Sequence, residues 1–481
     1  MWYMKFTKIE PDLQNLLNKL LEQQPVVQKI VNEIAKKGAS ALLVGGAVRD
    51  LFLGLPVKDL DIEVHGITID QLHQILAEFG PVSLVGKSFG VLRLHGLDPA
   101  FAQDELWRTG IDWSLPRTDS SGRHPKVIID SHMNFADAFK RRDLTINAMG
   151  IDLKTFELID PWHGLRDLKE GILRAPSADL FIEDPLRLFR VMQFVGRFEM
   201  KPDNELNKIC RTMNLAGIST ERIEGEFDKL LLKSKRPSLG IRWLHEIGKL
   251  KEILPELAST IGIAQEPSWH PEGDVFEHTM QAIDAAATLD YTDDREKLIA
   301  LYAVLCHDLG KVTTTEYIDG KLRSYGHEDE GVPLAKKMLK RLTRRVELID
   351  AVAKLVKYHM APGQFVKNGA KLPAYKRLAL KLSPEVSIQL LAKVSLADKR
   401  GRNSKSSLPL NSDVPEIKEF LKIAEQAKVV HKPEEPIVHG RDLMAVVQPG
   451  PQMGELVKKA YEIQLDEGIH DKQELLKRIL N

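Results

Sequence analysis

The sequence predicts a multidomain α+β protein, in which a small mixed α/β unit precedes a long and mostly helical remainder. Two observations lead to this prediction. Ala41–Val44 is a short apolar run that ends at a glycine pair, and apolar residues alternate with polar ones around Ile62. From about Leu180 onward, apolar residues recur with helical period. A strand-rich segment followed by helical segments indicates an α/β unit joined to helical domains.

Further elements follow from local patterns in chain order. Residues 12–37 have apolar positions at helical spacing and predict one amphipathic helix or a helix pair. A helical stretch after the glycine pair runs to Leu53 and ends at Gly54. Additional strands are expected at Val91–His95, Ile111–Leu115 and Lys126–Ile129, and a Ser-, Asn- and Pro-rich linker at Gly401–Asp413.

Composition limits the classes of function. The 481 residues contain 68 Lys plus Arg and 68 Asp plus Glu, so any nucleic-acid contact must come from local basic patches. Two cysteines make no disulfide framework and are typical of a reducing compartment. The N-terminal residues contain no signal-like apolar segment, and the chain has no apolar run of about 18 residues. We therefore expect a cytoplasmic protein without a membrane partner.

Asp59 and Asp61 stand two apart in a strand-like run, so both side chains are expected on one face. Two neighbouring carboxylates repel each other unless a cation neutralises them, and Mg²⁺ prefers such oxygen ligands together with substrate phosphates. Asp112, in a later candidate strand, could complete a cluster of three. Two metals held in this way would activate a ribose 3′-hydroxyl and stabilise a leaving pyrophosphate.

Gly45 and Gly46, at the predicted strand-to-helix turn, would let the backbone approach a triphosphate. Arg49 lies one turn into the helix and could add a phosphate contact. Taken singly, an Asp-x-Asp is usually a solvated strand face and a glycine pair is usually only a turn. In this order and at this spacing they are far more specific.

Five ordered motifs resemble class II CCA-adding enzymes and bacterial poly(A) polymerases. The first, Gly45–Asp50 followed by Lys58–Asp61, resembles their head-domain signature. The second, Arg141–Ala148, implies ribose and triphosphate binding by Arg142, Asp143 and Asn147. The third, Asp160–Leu168, resembles a hinge. The fourth and fifth are Glu183–Arg187 and Ser219–Leu231. The resemblance runs from about residue 40 to the C-terminus and implies a polymerase-β-like nucleotidyltransferase head that uses Mg²⁺.

The resemblance also implies that Asp184 and Arg187 read the incoming base, with Arg190 close by. A carboxylate can accept from the amino group of cytosine or adenine while a guanidinium donates to the ring nitrogen. Guanine and uracil would leave these groups unpaired, which is a strong means of rejection. The alternative is structural, because Asp184 before Pro185 suits a helix N-cap. Both roles can coexist.

A second set of residues resembles the HD superfamily of metal-dependent phosphohydrolases, whose ligands are ordered His, His-Asp, Asp. It comprises the core ligands His278, His307, Asp308 and Asp398, with His327 and His359 resembling the additional ligands of binuclear members. Imidazole and carboxylate together suit a borderline divalent metal, whose identity the residues do not reveal. Several CCA-adding enzymes carry such a domain, acting on phosphomonoesters or 2′,3′-cyclic phosphates. Any one of these histidines alone would more often be a surface or capping residue.

The acceptor is expected to be the acceptor arm of tRNA. Basic clusters occur at Lys229–Arg242, Lys336–Arg345 and Lys371–Lys381, although each singly is more often a solvated helix face. Pro436–Leu443 and Pro449–Gly454 resemble the tail of many CCA-adding enzymes, and the sequence ends at Asn481 without a long basic extension. Both features favour tRNA over poly(A) synthesis.

The resemblance and the residues together predict an enzyme that adds C and A to the 3′ end of tRNA from CTP and ATP, with a second, phosphohydrolase activity in the HD domain. The expected domains are an N-terminal helical extension (1–37), the head (38–150), a helical neck and body (151–265), the HD domain (266–405) and a helical tail (406–481). Poly(A) polymerase and partial CC- or A-adding activity remain alternatives. An HD phosphohydrolase with a decayed RNA-binding head is an alternative of another class, and the oligomeric state stays open.

Overall fold

The protein is described by a computed structural model that covers residues 7–57, 59–85, 90–95, 110–119, 127–403 and 411–480. Lys58 of the first motif, Lys126 of a predicted strand and most of the predicted linker lie outside the described residues. The chain forms two compact units. The first comprises the residues up to Val191 together with Phe198–Gly217, and the second comprises Met192–Arg197 together with Ile218–Asn481.

The first unit is built on an eight-stranded mixed sheet with the order β1-β10-β9-β2-β3-β6-β5-β4. Strands β3 and β6 are parallel, whereas the other neighbours are antiparallel. Its strands are β1 (Thr7–Lys8), β2 (Ser40–Val44), β3 (Asp61–His65), β4 (Val82–Val85), β5 (Val91–Leu94), β6 (Ile111–Ser114), β9 (Gly150–Asp152) and β10 (Glu157–Ile159). Two small pairs, β7 (Arg117–Asp119) with β8 (Val127–Ile129) and β11 (Ile172–Leu173) with β12 (Lys201–Pro202), lie outside this sheet.

Short helices connect these strands. They are α1 (Pro11–Glu22), α2 (Pro25–Lys36), α3 (Gly46–Phe52), α4 (Ile69–Ala77), α5 (Phe135–Lys140), a 3₁₀ turn (Thr145–Asn147), α6 (Gly164–Glu170), α7 (Ala178–Ile182), α8 (Leu186–Phe198) and α9 (Asn204–Thr212). The N-terminal segment is therefore a helix pair, with Pro25 at the start of the second helix. Proline favours this position because its missing N–H has no partner in a first turn. Residues 192–197 of α8 belong to the second unit.

Among its described residues, the second unit is helical apart from one hairpin, β13 (Glu316–Ile318) with β14 (Lys321–Arg323). Its helices are α10 (Thr220–Lys233), α11 (Ser238–Glu246), α12 (Leu250–Ile253), α13 (Pro255–Ala258), α14 (Val275–Ala287), α15 (Asp294–Cys306), α16 (Lys311–Thr314), α17 (His327–Leu342), α18 (Val346–Tyr358), α19 (Ala361–Lys367), α20 (Leu372–Leu382), α21 (Ile388–Arg400), α22 (Pro415–Gln426), α23 (Gly440–Leu443), α24 (Pro451–Glu467) and α25 (Lys472–Leu480). Helix α15 is buried on all sides from Leu298 to Cys306, which makes it the centre of this core.

The α+β architecture confirms the predicted fold class. Leu60, Ile62 and Val64 are buried as their alternation predicted. Strand β3 itself begins at Asp61, so Asp59 lies just before the strand rather than within it. Glu63 and His65 on the polar side are also buried, which an alternating pattern did not predict. None of the helices in the described part of the chain has both the length and the apolar character needed to cross a bilayer.

Candidate active and metal sites

A glycine turn follows strand β2 and begins helix α3. Gly45 has a φ of 74°, a left-handed backbone conformation that strongly favours glycine. A Cβ added to Gly45 would lie 2.8 Å from Arg142 Nη1 and 3.9 Å from Asp61 Oδ2. The turn, the Arg142 guanidinium and the Asp61 carboxylate therefore surround the same small space, so residues predicted from three separate segments come together here.

Strand pairing brings the predicted carboxylates together. The parallel register of β3 with β6 pairs Asp61 directly with Asp112, and Asp59 lies two residues before Asp61. Loss of hydration raises the pKa of Asp61, Arg142 opposes that shift, and Asp112 and Asp59 raise the pKa further. Asp61 therefore resists ionisation beside the two other carboxyls, and a bound cation would relieve the repulsion between them.

Arg93 on strand β5 is a site neighbour that the sequence analysis did not identify. Its Nε and Nη2 donate to the two carboxylate oxygens of Asp112 at 2.6 and 2.7 Å. This two-point ion pair holds the Asp112 side chain at the edge shared by β5 and β6. Only the register of the antiparallel β5–β6 pair, in which Arg93 faces Asp112, makes the contact visible.

Glu63 is a second residue that the sequence analysis missed. It is fully buried, and its Oε1 lies 3.0 Å from His65 Nε2. Its Oε2 accepts a long hydrogen bond of 3.5 Å from Arg142 Nη2 and lies 3.9 Å from Arg141 Nη2. Burial alone would raise the pKa of Glu63, but His65, Arg142 and Arg141 together lower it. Glu63 is therefore a buried anion that holds Arg142 beside the glycine turn.

The second motif forms a connected polar network behind this site. Arg49 Nη1 donates to Asn147 Oδ1 at 2.7 Å, and Asn147 Nδ2 donates to Asp143 Oδ1 at 2.9 Å. Arg190 Nε donates to Asp143 Oδ2 at 2.6 Å. Burial would raise the pKa of Asp143, but Arg190, Asn147 and the Leu144 amide hold it below its ordinary value. The buried Arg49 thus supports the second motif in this structure.

Asp184 and Arg187 lie at the start of helix α8. Asp184 Oδ1 accepts from the Leu186 amide at 3.2 Å, and Pro185 has helical dihedral angles, so the carboxylate has the capping geometry that the structural alternative described. Arg187 Nη1 and Nη2 donate to the backbone carbonyls of Leu180 and Arg141 at 2.7 and 2.6 Å. The guanidinium is therefore fixed in direction by two backbone segments.

In the second unit, the predicted histidine and aspartate residues form one buried cluster, which we call the HD cluster. Helix α14 carries His278, helix α21 carries Asp398, and helix α15 ends next to His307 and Asp308. His327 opens α17, and His359 follows α18. A Cβ on Gly310 would lie 2.1 Å from the His327 carbonyl oxygen, so glycine allows α17 to approach Asp308 closely. All six predicted residues are brought together.

The orientation of the imidazoles bears on metal binding. Nδ1 of His307, His327 and His359 faces the backbone carbonyls of Val304, Ser324 and Val356 at 2.7 to 2.8 Å. A carbonyl can only accept, so each Nδ1 carries the proton and each neutral ring presents an Nε2 lone pair. These three Nε2 atoms and that of His278 converge. The His278 and His307 Nε2 atoms are 3.2 Å apart, and those of His327 and His359 are 3.1 Å apart.

The converging nitrogens are grouped around the two oxygens of Asp308. Its Oδ2 lies 3.2 Å from His307 Nε2 and 3.6 Å from His278 Nε2. Its Oδ1 lies 3.3 Å from His327 Nε2 and 3.9 Å from His359 Nε2. Ligands of one divalent ion at about 2.1 Å lie roughly 3 to 3.5 Å apart, so this donor set fits two ions with Asp308 between them.

Glu272 and His270 extend the cluster beyond the predicted residues. Glu272 Oε1 lies 2.7 Å from His278 Nδ1 and 2.9 Å from His270 Nδ1. The two hydrogen bonds outweigh desolvation and lower the pKa of Glu272 to about 2, so the carboxylate is ionised and orients the His278 ring. The sequence offered a weak signal for this pair, a His-x-Glu just before helix α14.

Matches to known families agree with the two sites. Residues 41–174 match the poly A polymerase head domain, residues 205–261 a probable RNA- and SrmB-binding site of polymerase A, and residues 275–401 the HD domain. The chain is therefore a nucleotidyltransferase of the poly A polymerase head class that carries an HD domain.

Sequence relatives narrow the class to a family. A multifunctional CCA protein of Halorhodospira halophila is 33% identical over 436 residues, which cover 87% of this chain and 94% of the relative. The chain belongs to the multifunctional CCA protein family, as the motifs predicted.

Two solved CCA-adding enzymes have the same fold. One, in complex with CTP, is 19% identical with a TM-score of 0.61, and the match covers 99% of this chain and 98% of that one. The other, from Thermotoga maritima in complex with tRNA, is 21% identical with a TM-score of 0.56, and covers 98% and 96%.

Proposed function

We propose that the first unit adds C and A to the 3′ end of tRNA, using CTP and ATP. The observation that carries this proposal is the juxtaposition of Asp61, Asp112 and the Arg142 guanidinium at the Gly45 turn. Carboxylates beside a cationic, glycine-lined turn suit a nucleoside triphosphate with its metal. The relatives known as CCA proteins, and the CCA-adding enzymes solved in complex with CTP and with tRNA, support these substrates. Cytoplasmic location is part of the proposal.

In the reaction, the RNA 3′-oxygen forms a bond to the α-phosphorus of the nucleotide, and the bond from that phosphorus to the bridging oxygen of pyrophosphate breaks. Asp59 and Asp61 would hold Mg²⁺, with Asp112 assisting. When bound, Mg²⁺ neutralises charge on the phosphates and lowers the pKa of the hydroxyl. Gly45, Gly46 and Arg142 bind the triphosphate, and Arg49, Asp143 and Asn147 keep that surface rigid. Positioning of the two reactants supplies much of the acceleration.

Base selection is assigned to Asp184 and Arg187. The capping contact of Asp184 and the two carbonyl contacts of Arg187 support this role, since groups that read a base must be held in direction. Arg190, paired with Asp143, joins the base-reading residues to the second motif. The pair would accept CTP and ATP. It would reject GTP and UTP, because these bases would leave the Asp184 carboxylate and the Arg187 guanidinium unpaired.

We infer a second activity, hydrolysis of a phosphate ester at the HD cluster. Four Nε2 atoms converge around Asp308, those of His278, His307, His327 and His359. This arrangement supports the binding of two divalent ions, with Asp398 as a further ligand. Such ions, when bound, activate water for attack on phosphorus. The metal is of borderline type because imidazoles dominate the donor set.

One experiment tests both activities. The protein is incubated with Mg²⁺, with each nucleotide singly and in pairs, and with tRNAs that end before C, CC or CCA, and a parallel sample receives a 2′,3′-cyclic phosphate and a divalent metal. Growth that stops at CCA supports the proposal, whereas an unbounded A tail identifies a poly(A) polymerase and a stop after CC identifies a partial enzyme. No incorporation, together with hydrolysis of a phosphate ester, would leave only the HD function.

A further inference from the structure

Arg93 and Asp61 flank the same carboxylate in the sheet of the first unit. Asp112 on β6 is in register with Asp61 of β3 on one side and with Arg93 of β5 on the other. Residues in register on neighbouring strands present their side chains on the same face of a sheet. An acid, a second acid and a base therefore form one row across three strands. We call Asp61, Asp112 and the preceding Asp59 the carboxylate site.

The pair of Arg93 with Asp112 is shaped by the surrounding chain. Both oxygens of the carboxylate accept from the guanidinium, at 2.6 and 2.7 Å. A Cβ on Gly110 would lie 2.8 Å from Arg93 Cγ, so glycine at the start of β6 leaves room for the arginine stem. The side chains of Arg93 and Asp112 are 34% and 30% exposed, so solvent and ions reach the pair.

A second guanidinium near the site has a different partner. Arg142 lies beside the Gly45 turn, and its Nη2 donates to the buried Glu63 at 3.5 Å. Its charge is therefore shared with an acid outside the carboxylate site. The fork of Arg93, by contrast, lies on a member of the site itself. Arg93 thus offsets one of the three negative charges that would otherwise attract a cation.

This ion pair affects metal binding at Asp112. Each carboxylate oxygen keeps a second lone pair, so the Arg93 contacts alone do not prevent Asp112 from binding a metal. A metal–oxygen bond of about 2.1 Å and the N–O distance of 2.6 Å, however, place a bound ion within about 5 Å of the Arg93 nitrogen. Two positive charges at that distance repel each other. A cation therefore gains Asp112 as a ligand only by opposing or displacing Arg93.

We propose that Arg93 competes with the divalent metal for Asp112 and thereby sets the cation concentration at which the carboxylate site becomes loaded. Arg93 is a positioning residue in this role, because it acts through Asp112. The inference rests on the proposed function, in which Asp59 and Asp61 hold Mg²⁺. It adds a residue that weakens metal binding until a triphosphate supplies further ligands.

The test measures Mn²⁺ binding to the full-length protein without nucleotide or RNA, by the loss of the free-ion signal in electron paramagnetic resonance. Binding that survives in Asp61→Ala belongs to the HD cluster and is subtracted. Arg93→Met keeps an apolar stem and removes the charge. It is expected to bind Mn²⁺ at the carboxylate site about tenfold more tightly than wild type, since a unit charge this close repels a divalent ion even in a solvent-like dielectric.

Three further variants locate the effect. Arg93→Lys keeps the positive charge and should bind Mn²⁺ nearly as weakly as wild type. Arg211→Met removes an exposed arginine from helix α9 of the same unit and should leave the affinity unchanged. In an Asp112→Asn background, the gain from Arg93→Met should shrink to about twofold or less, because no third carboxylate remains to be released.

A gain in affinity cannot come from damage to the fold, so it separates this role from a purely structural ion pair at the edge of the sheet. Unchanged or weaker Mn²⁺ binding in Arg93→Met, with wild-type binding at the carboxylate site present, would overturn the inference and leave the proposed function standing. If neither wild type nor Arg93→Met binds more Mn²⁺ than Asp61→Ala, the metal role of Asp61 fails and the inference fails with it.

Discussion

The carboxylate site of the first unit and the HD cluster of the second differ in how their ligands are held. Asp59 and Asp61 lie at the exposed start of strand β3, where partial loss of hydration and then the neighbouring acids raise the pKa of Asp61. The predicted ligands His278, His307 and Asp308 of the cluster are buried within a helical core. Backbone carbonyls and Glu272 orient the imidazoles before any ion arrives.

This difference indicates two ways of using a metal. Exposed carboxylates that repel each other bind a cation best when a triphosphate supplies the remaining ligands, so we expect the metal to enter and leave with the nucleotide. Buried, oriented imidazoles bind a cation by themselves, so the metal belongs to the folded protein. Each of the following predictions would break or sharpen that contrast.

The largest effect is expected for Asp61→Ala. Removal of a ligand that is worth several kcal/mol in charge stabilisation should lower nucleotide addition by about 10³-fold or more. Hydrolysis at the HD cluster should be unaffected. Primer extension and ester hydrolysis on one preparation measure both, with the exposed Asp70→Ala as a control. Loss of both activities would contradict two separate sites.

The next effect concerns stability. A divalent ion at a hundredfold excess over its dissociation constant should stabilise the second unit by about 2.7 kcal/mol, because the folded state alone presents the converging nitrogens. His307→Ala should abolish this gain, and the exposed His431→Ala should retain it. Urea unfolding with and without added metal gives the measurement. Equal stabilisation of His307→Ala and wild type would argue against a resident metal.

A third prediction concerns Asp284, a buried carboxylate of the second unit. Asp284 accepts from Ser238 N and Oγ at 2.9 and 2.6 Å, and burial raises its pKa to about 6. The folded state therefore binds this proton more tightly than the unfolded state, so its stabilising contribution is present at low pH and lost as pH rises from about 4 to 6. Relative to wild type, Asp284→Asn should gain roughly 2 kcal/mol between those limits. Urea unfolding of both proteins at pH 4 and pH 8 tests the sign, and a constant difference would refute it.

The smallest effect is expected for Glu63→Gln. The Glu63 carboxylate faces Arg142 and Arg141, and without its charge Arg142 is expected to turn toward Asp61. The KM for CTP should then rise about tenfold, the consequence of one weakened charged hydrogen bond, with a higher Mg²⁺ requirement and little change in kcat. Steady-state kinetics at several Mg²⁺ concentrations measure this, with the exposed Glu78→Gln as the reference. A fall in kcat alone would point to a different role.

Much of both sites follows from residue order. The glycine pair, Asp59, Asp61 and the second motif predict a nucleotidyltransferase site, and the histidine and aspartate order predicts the HD cluster, because these chemistries need particular side chains at particular spacings. Glu63, Arg93 and Glu272 were missed for a shared reason. A lone charged residue has no pattern until pairing or packing places it against a partner.

What the sequence by itself determined is the fold class, the family and the residue types of the two sites, since periodicity and local spacing are properties of the chain. Only the tertiary structure decided which distant residues meet. The parallel β3–β6 register placed Asp112 beside Asp61, and packing of α17 against the turn at Gly310 brought His327 to Asp308. Neighbouring cations and His65 lower the pKa of the buried Glu63, whereas burial raises the pKa of Asp284 to about 6. Such pairings depend on long-range contacts and hydration, which no local pattern records.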